Sequence, residues 1–125
     1  MYPPDLKYTK EHEWARVEGN AATIGVTHYA QDSLGDVVYV DLPAIGAAIK
    51  QFAKFGEIES VKAVSDLYSP LGGRVVAVND EVKKTPEAIN SDPYGKGWLI
   101  KVELGNPAET KALMDAEAYT KLLAH

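Results

Sequence analysis

The chain contains no cysteine. That excludes disulfides, thiolate metal sites and a cysteine nucleophile, and it agrees with a reducing compartment. No apolar run approaches the ~18 residues that a membrane span needs. Positive charge is in deficit: 13 Lys and Arg face 18 Asp and Glu, for a net charge of −5. That balance disfavours nucleic acid and anionic membrane surfaces as partners. The three histidines, His12, His28 and His125, are too scattered for a metal-ligand spacing. Neither a Gly-x-Ser-x-Gly elbow nor a P-loop spacing occurs, and nothing marks a Ser-His-Asp triad. The start, Met1 to Leu6, is neither a signal peptide nor an arginine-rich transit segment, so the chain is expected to stay where it is made.

What is present is one ordinary domain's worth of chain, 125 residues, read as a single domain over 1–125. Its 46% apolar and 25% charged residues are those of a globular protein with a real core. Glu13 to Glu18 and Ala22 to Val26 read as strands joined by a turn at Gly19-Asn20, two residues that accept positive φ. Thr27 caps a helix from His28 to Leu34, and Gly35 stops it. Asp36 to Leu42, Arg74 to Val78 and Gly97 to Leu104 are further strands. Ala47 to Phe55, bracketed by Gly46 and Gly56, is ambiguous, and Leu71 to Gly73 is a bend. Asn79 to Pro93 is polar, with a weak helical stretch at Pro86 to Ile89. Asp115 caps a C-terminal helix running to Ala124, whose apolar side is expected at Ala118, Leu122 and Tyr119 or Leu123. The segment from Gly35 to Val40 is echoed from Gly73 to Val78, and Gly56 to Val61 is loosely echoed from Gly97 to Val102. Such an echo implies two strand-loop-strand halves packed as a flattened barrel.

The connection between those halves passes through the most informative stretch, Gly56 to Pro70. Ile58, Ser60, Val64 and Tyr68 interleave with Glu57, Glu59, Ser65 and Ser69, the alternation by which a strand divides its faces. If the chain reverses at Val61-Lys62-Ala63, Lys62 stands at a hairpin tip, where an acylating enzyme reaches its amine without unfolding anything. Lys62 is one of eleven lysines, and a surface lysine ordinarily only solubilises an edge. Its surroundings distinguish it. Glu57, Glu59 and Asp66 leave Lys62 the only cation between Lys54 and Arg74, an acidic collar around one basic tip.

Glu59-Ser60-Val61-Lys62-Ala63, followed by Ser65-Asp66 and Tyr68-Ser69-Pro70, resembles the lipoyl-attachment segment of the glycine cleavage system H-protein family. The likeness covers almost the whole chain. Leu6-Lys7-Tyr8 with His12-Glu13-Trp14 is similar to that family's opening, and Thr23 to Thr27 with Ala30-Gln31 and Leu34-Gly35-Asp36 to its next block. Val40 to Pro43, Gly46, Asn90 to Tyr94, Gly97-Trp98 and Ala118-Tyr119 follow in order. The neighbours of the lysine separate it from relatives. Biotin carriers flank theirs with methionine, and lipoyl domains of 2-oxoacid dehydrogenases read Asp-Lys-Ala. Here the residues are Val61 and Ala63.

The resemblance implies a mainly β fold, a lipoyl-type barrel-sandwich hybrid with short added helices and a C-terminal helix. It implies a monomeric carrier, not an enzyme, with lipoate joined to Lys62 as a swinging arm. Its implied partners are the pyridoxal-phosphate glycine decarboxylase, an aminomethyltransferase serving tetrahydrofolate, dihydrolipoamide dehydrogenase, and a lipoyl ligase or transferase. Glu57, Glu59, Ser60, Val61, Ala63 and Asp66 would be recognised around the lysine. The aminomethyl-bearing arm would fold into a cleft whose candidates are Glu13 and Asp66, with Glu11 and His12 beside them. The implied place is a bacterial cytoplasm, or a mitochondrial matrix for a processed chain. Three other readings stay open: a lipoate carrier in lipoate relay, an interaction module with an unmodified lysine, and a hydrolase using Ser65 and His28 that no motif supports.

Overall fold

The computed structural model describes residues 2–124. Its strands are β1 (Lys7–Tyr8), β2 (Glu13–Glu18), β3 (Ala21–Val26), β4 (Val37–Asp41), β5 (Ala48–Ile49), β6 (Lys54–Ser60), β7 (Val64–Tyr68), β8 (Gly73–Val78) and β9 (Ile100–Leu104). Helices α1 (His28–Leu34), α2 (Asp80–Lys84), α3 (Ala88–Ser91) and α4 (Ala116–Leu123), with a 3₁₀ segment Pro107–Ala112, fill the connections. The strands form two antiparallel sheets, one in the order β1-β2-β3-β9-β8-β5 and one in the order β4-β6-β7. Inward residues of both, among them Ile24, Val75 and Val102 from the first and Val40, Ile58 and Leu67 from the second, share one apolar core. The mainly β, barrel-sandwich expectation is borne out. Among the described residues no helix is long and apolar enough to cross a membrane.

The internal echo has a structural counterpart. β4 pairs with β6 and β8 with β9, and each pair carries a register shift at equivalent residues, between Val37 and Tyr39 and between Val75 and Ala77. Val37 faces Ser60, whereas Val75 faces Val102, so the second-strand echo lies one residue further along than the sequence alignment of Gly56 with Gly97 suggests. A shared bulge sets a shared bend, which is how each half wraps the core.

α1 has the expected limits. Thr27 Oγ1 accepts from the Ala30 N–H at 3.2 Å, and Gly35 takes φ 78° beyond the last turn. α2 does not appear in the sequence reading. Asn79 starts it by accepting from the Glu81 N–H at 3.1 Å, and one buried residue, Val82, anchors it. The expected strand from Gly97 begins only at Ile100. A Cβ on Gly97 would meet the Ala88 carbonyl at 2.7 Å, so this glycine serves close packing against α3. The apolar face of α4 also differs. Ala116, Tyr119 and Leu123 are the residues packed inward, while Ala118 and Leu122 are exposed. Tyr119 decides this, since its ring stacks on Tyr8 at 4.8 Å and fixes the rotation of the helix.

A second core, Leu6, Tyr8, Trp14 and Tyr119, lies at the β1 edge of the larger sheet. Trp14 is wholly buried and donates from Nε1 to the Pro93 carbonyl at 3.1 Å. Its indole lies over Gly25, where a Cβ would fall 2.6 Å from Cζ2. Gly25→Ala is therefore expected to cost about 1–3 kcal/mol, as overpacking does, and thermal denaturation should show a melting temperature lower by about 5 °C or more.

Candidate functional site

The reversal expected at Lys62 is the β6–β7 hairpin. Glu59 faces Val64 across it, and the Ser60 N–H donates to the Ala63 carbonyl at 2.8 Å. Two-residue hairpin loops ordinarily use turns with positive φ, and hence Gly or Asn. Neither Val61 nor Lys62 adopts positive φ here. The Ser60 hydroxyl closes the turn instead. Its Oγ accepts the Lys62 N–H at 3.3 Å and the Ala63 N–H at 3.1 Å, and it donates to the Ala63 carbonyl at 3.3 Å. The Val61 N–H donates to the Asp36 carbonyl at 3.0 Å, rooting the tip on the loop after α1. Lys62 itself is exposed and forms no ion pair among the described residues. Its stem passes Gly35, where a Cβ would lie 3.6 Å from Cε.

The expected acidic collar is organised differently from its spacing. Glu57 and Asp66 face each other across β6 and β7. Both bind Lys54, whose Nζ lies 2.7 Å from Glu57 Oε2 and 3.2 Å from Asp66 Oδ1. Solvent screens these exposed pairs, so they organise the acidic groups more than they stabilise the fold. Glu59 is the carboxylate on the rung next to the tip, exposed between Tyr39 and Val64. Val61 and Ala63 are exposed beside the lysine, while Ser60 is buried beneath it.

A cleft of about 680 Å³ opens elsewhere on the same body. Its walls include Glu11, Glu13, Phe52, Tyr68, Met114 and Leu122. Glu13, at the start of β2, is only 2% exposed. The Thr9 hydroxyl donates to its Oε1 at 2.7 Å, and the Tyr68 N–H to its Oε2 at 3.2 Å. Among the described residues no cation pairs with it. Burial pushes this carboxyl up to about 8, against the lowering effect of its two hydrogen bonds. Of the four candidates, Glu13 and Glu11 thus line one cleft. Asp66 stands outside it and touches a wall residue, accepting from the Tyr68 hydroxyl at 3.3 Å. His12 does not line it. Its Nδ1 lies 2.8 Å from the Tyr119 hydroxyl, its ring packs near Tyr29, and burial lowers its basicity. His125 lies outside the described residues. The rest of the cleft was missed in the sequence. Thr9 and Tyr68, Glu13's donors, carry no local motif, and Phe52, Met114 and Leu122 come from three distant segments.

Comparison with known proteins places this geometry. The family model described as glycine cleavage H-protein matches residues 6–125. The glycine cleavage system H protein of Symbiobacterium thermophilum is 60% identical over 94% of this chain and 91% of its own. That of Myxococcus xanthus is 57% identical over 97% and 94%. The crystal structure of a glycine cleavage system H protein from Mycobacterium marinum superposes with a TM-score of 0.88, at 36% identity, over 98% of this chain and 99% of that one. The chain belongs to the glycine cleavage H-protein family, the lipoyl carriers of that system.

Proposed function

We propose that this chain acts as one carrier domain, with lipoate held in amide linkage to the Nζ of Lys62. The observation that carries the reading is Lys62 itself, exposed and without an ion pair among the described residues, on a tip that Ser60 and Asp36 anchor. The residues fit the group. The amine is reachable, and the molecule offers a largely apolar cleft, lined also by Lys10, whose buried carboxyl Glu13 forms no ion pair among the described residues. When bound, lipoate supplies a disulfide that takes up a one-carbon amine fragment and two electrons.

The chain's own residues do the rest. Ser60 fixes the backbone of Lys62, so a lipoyl ligase or transferase meets a preformed tip, with Val61, Ala63 and Glu59 exposed around it. Glu57 and Asp66, already engaged with Lys54, give the strand below the tip its acidic character. Amide formation removes the lysine's charge and lets the arm lie against the body. Glu13, with Glu11 beside it, then receives the cationic amine cargo. A charge-assisted hydrogen bond in such a cleft is worth roughly 1.5–3 kcal/mol. Tyr68 links this carboxyl to Asp66, and the walls keep water away from the cargo.

The partners are glycine decarboxylase, which delivers the aminomethyl fragment, aminomethyltransferase, which removes it, and dihydrolipoamide dehydrogenase, which reoxidises the arm. Tethering raises the effective concentration of the reactive group at each of them. The protein itself turns nothing over and works as a monomer. Its relatives are bacterial, which supports a bacterial cytoplasm. The test is glycine decarboxylation in a system reconstituted with the three partners. Lipoylated protein should sustain turnover and unmodified protein should not. Equal turnover with both would refute the carrier reading.

A further inference from the structure

Among the described residues, His12 and Phe52 are the two non-glycine residues at positive φ, 73° and 64°. His12 is held there by its contacts with Tyr119 and Tyr29. Phe52 has no such explanation. It occupies the third position of a turn closed by the Ala53 N–H donating to the Lys50 carbonyl at 3.1 Å. A turn with positive φ at that position alone asks for glycine or asparagine, and a bulky residue there is a genuine outlier. Such strain persists only where surroundings over-determine it. Here the Phe52 N–H donates to the Ser69 carbonyl at 2.6 Å, and the Ser69 N–H to the Ala53 carbonyl at 2.9 Å. Gln51 Nε2 donates to the carbonyls of Pro70 and Glu109, both at 3.0 Å.

The clamp leaves the ring only half buried. Phe52 stays 51% exposed, on the wall of the cleft that holds Glu13, with Tyr68, Met114 and Leu122. An aromatic ring held in a glycine position recovers only half of its burial in the empty protein. It adds apolar surface to whatever fills the cleft. We propose that Phe52 is an arm-binding residue, a fixed flap whose ring covers the sulfur-bearing end of the lipoyl arm when the arm's cationic cargo reaches Glu13. The inference rests on the cleft reading above. Its chemistry is the affinity of polarizable sulfur for an aromatic ring, together with exclusion of water from the buried carboxyl.

The test uses full-length lipoylated protein and a stable cationic arm. The arm's disulfide is reduced with a water-soluble phosphine, which is oxidised to the phosphine oxide as water supplies the oxygen and the two thiol protons. Each of the two thiolates then displaces bromide from 2-bromoethylamine, forming a carbon–sulfur bond that leaves an ammonium two carbons from sulfur. The readout is the rise in melting temperature on aminoethylation, which for docking of the arm should be about 4 °C. Phe52→Tyr should keep that rise, and Phe52→Gly should lose more than half of it. Unmodified Phe52→Gly should melt no lower than wild type, because glycine relieves the strained turn. If Phe52→Gly keeps the full rise while Glu13→Gln loses it, the flap is refuted and the cleft reading stands. If wild type itself shows no rise, the cleft reading fails and the flap with it.

Discussion

Lys62→Arg should abolish glycine turnover in the reconstituted system, down to the rate seen without any carrier, while shifting the melting temperature by no more than about 2 °C. Arginine keeps the charge and the length of the side chain, but its guanidinium stays protonated and is no acceptor for an acyl group. The fold has no reason to notice the change. Ser60 Oγ accepts the backbone N–H of residue 62 whatever its side chain, and Val61 still donates to the Asp36 carbonyl. The side chain forms no ion pair among the described residues, so none is lost. Turnover by the arginine variant above the carrier-free rate would show that the chemistry does not travel on Lys62.

Glu13→Gln should remove most of the loss of stability that the unmodified protein shows between about pH 6.5 and 8.5. In the wild type, burial raises the Glu13 carboxyl from its ordinary 4.5 to about 8. Between those values the folded protein keeps a proton that the unfolded chain releases. The raised group therefore stabilises the fold fully below about pH 4.5, and that contribution drains away as pH climbs through about 8. Its steepest slope is about 1.4 kcal/mol per pH unit. His12 works in the opposite sense. Burial lowers its basicity, so its contribution is present above its ordinary 6.5 and lost on acidification. Denaturant titrations between pH 6.5 and 8.5 therefore report mainly on Glu13, with His12 opposing it weakly at the lower end. Wild-type stability should fall by about 2 kcal/mol across that interval, and the glutamine variant should be nearly flat. Equal slopes would mean that Glu13 is ionised and solvated in the folded protein.

Much of this molecule was legible because certain residues admit one reading. Thr27 and Gly35 fix both ends of α1, since one supplies a cap oxygen and the other a positive φ. The alternation from Glu57 to Ser60 holds in β6, and the chain reverses beside Lys62 as expected. On β7 the expected phase is wrong: Val64 stands exposed opposite Glu59 and Ser65 lies opposite Ile58, while Leu67 and Ser69 are the buried residues, because cross-strand register and not local alternation decides the inward face. Other features were not local. α2 has only five residues, too few for periodicity to show, although Asn79 ahead of Asp80-Glu81 is a helix start. The inward face of α4 was misread because Tyr8, more than a hundred positions away, decides which side is covered. Glu13 breaks alternation: Glu13, Trp14 and Ala15 are buried in succession, since β2 is covered on both sides there. Its donors Thr9 and Tyr68 meet only once β2 and β7 have packed. Phe52 gives no sequence signal, because a phenylalanine announces neither a positive φ nor an exposed ring.

The most direct test of the account is where lipoate goes. The protein should be made with lipoate and a lipoyl ligase, then examined by intact mass and peptide mapping. The account predicts one lipoyl increment per chain, confined to the peptide carrying Lys62. No increment, or one spread over several of the eleven lysines, would contradict it, because the Ser60-closed hairpin would then not be what the ligase recognises.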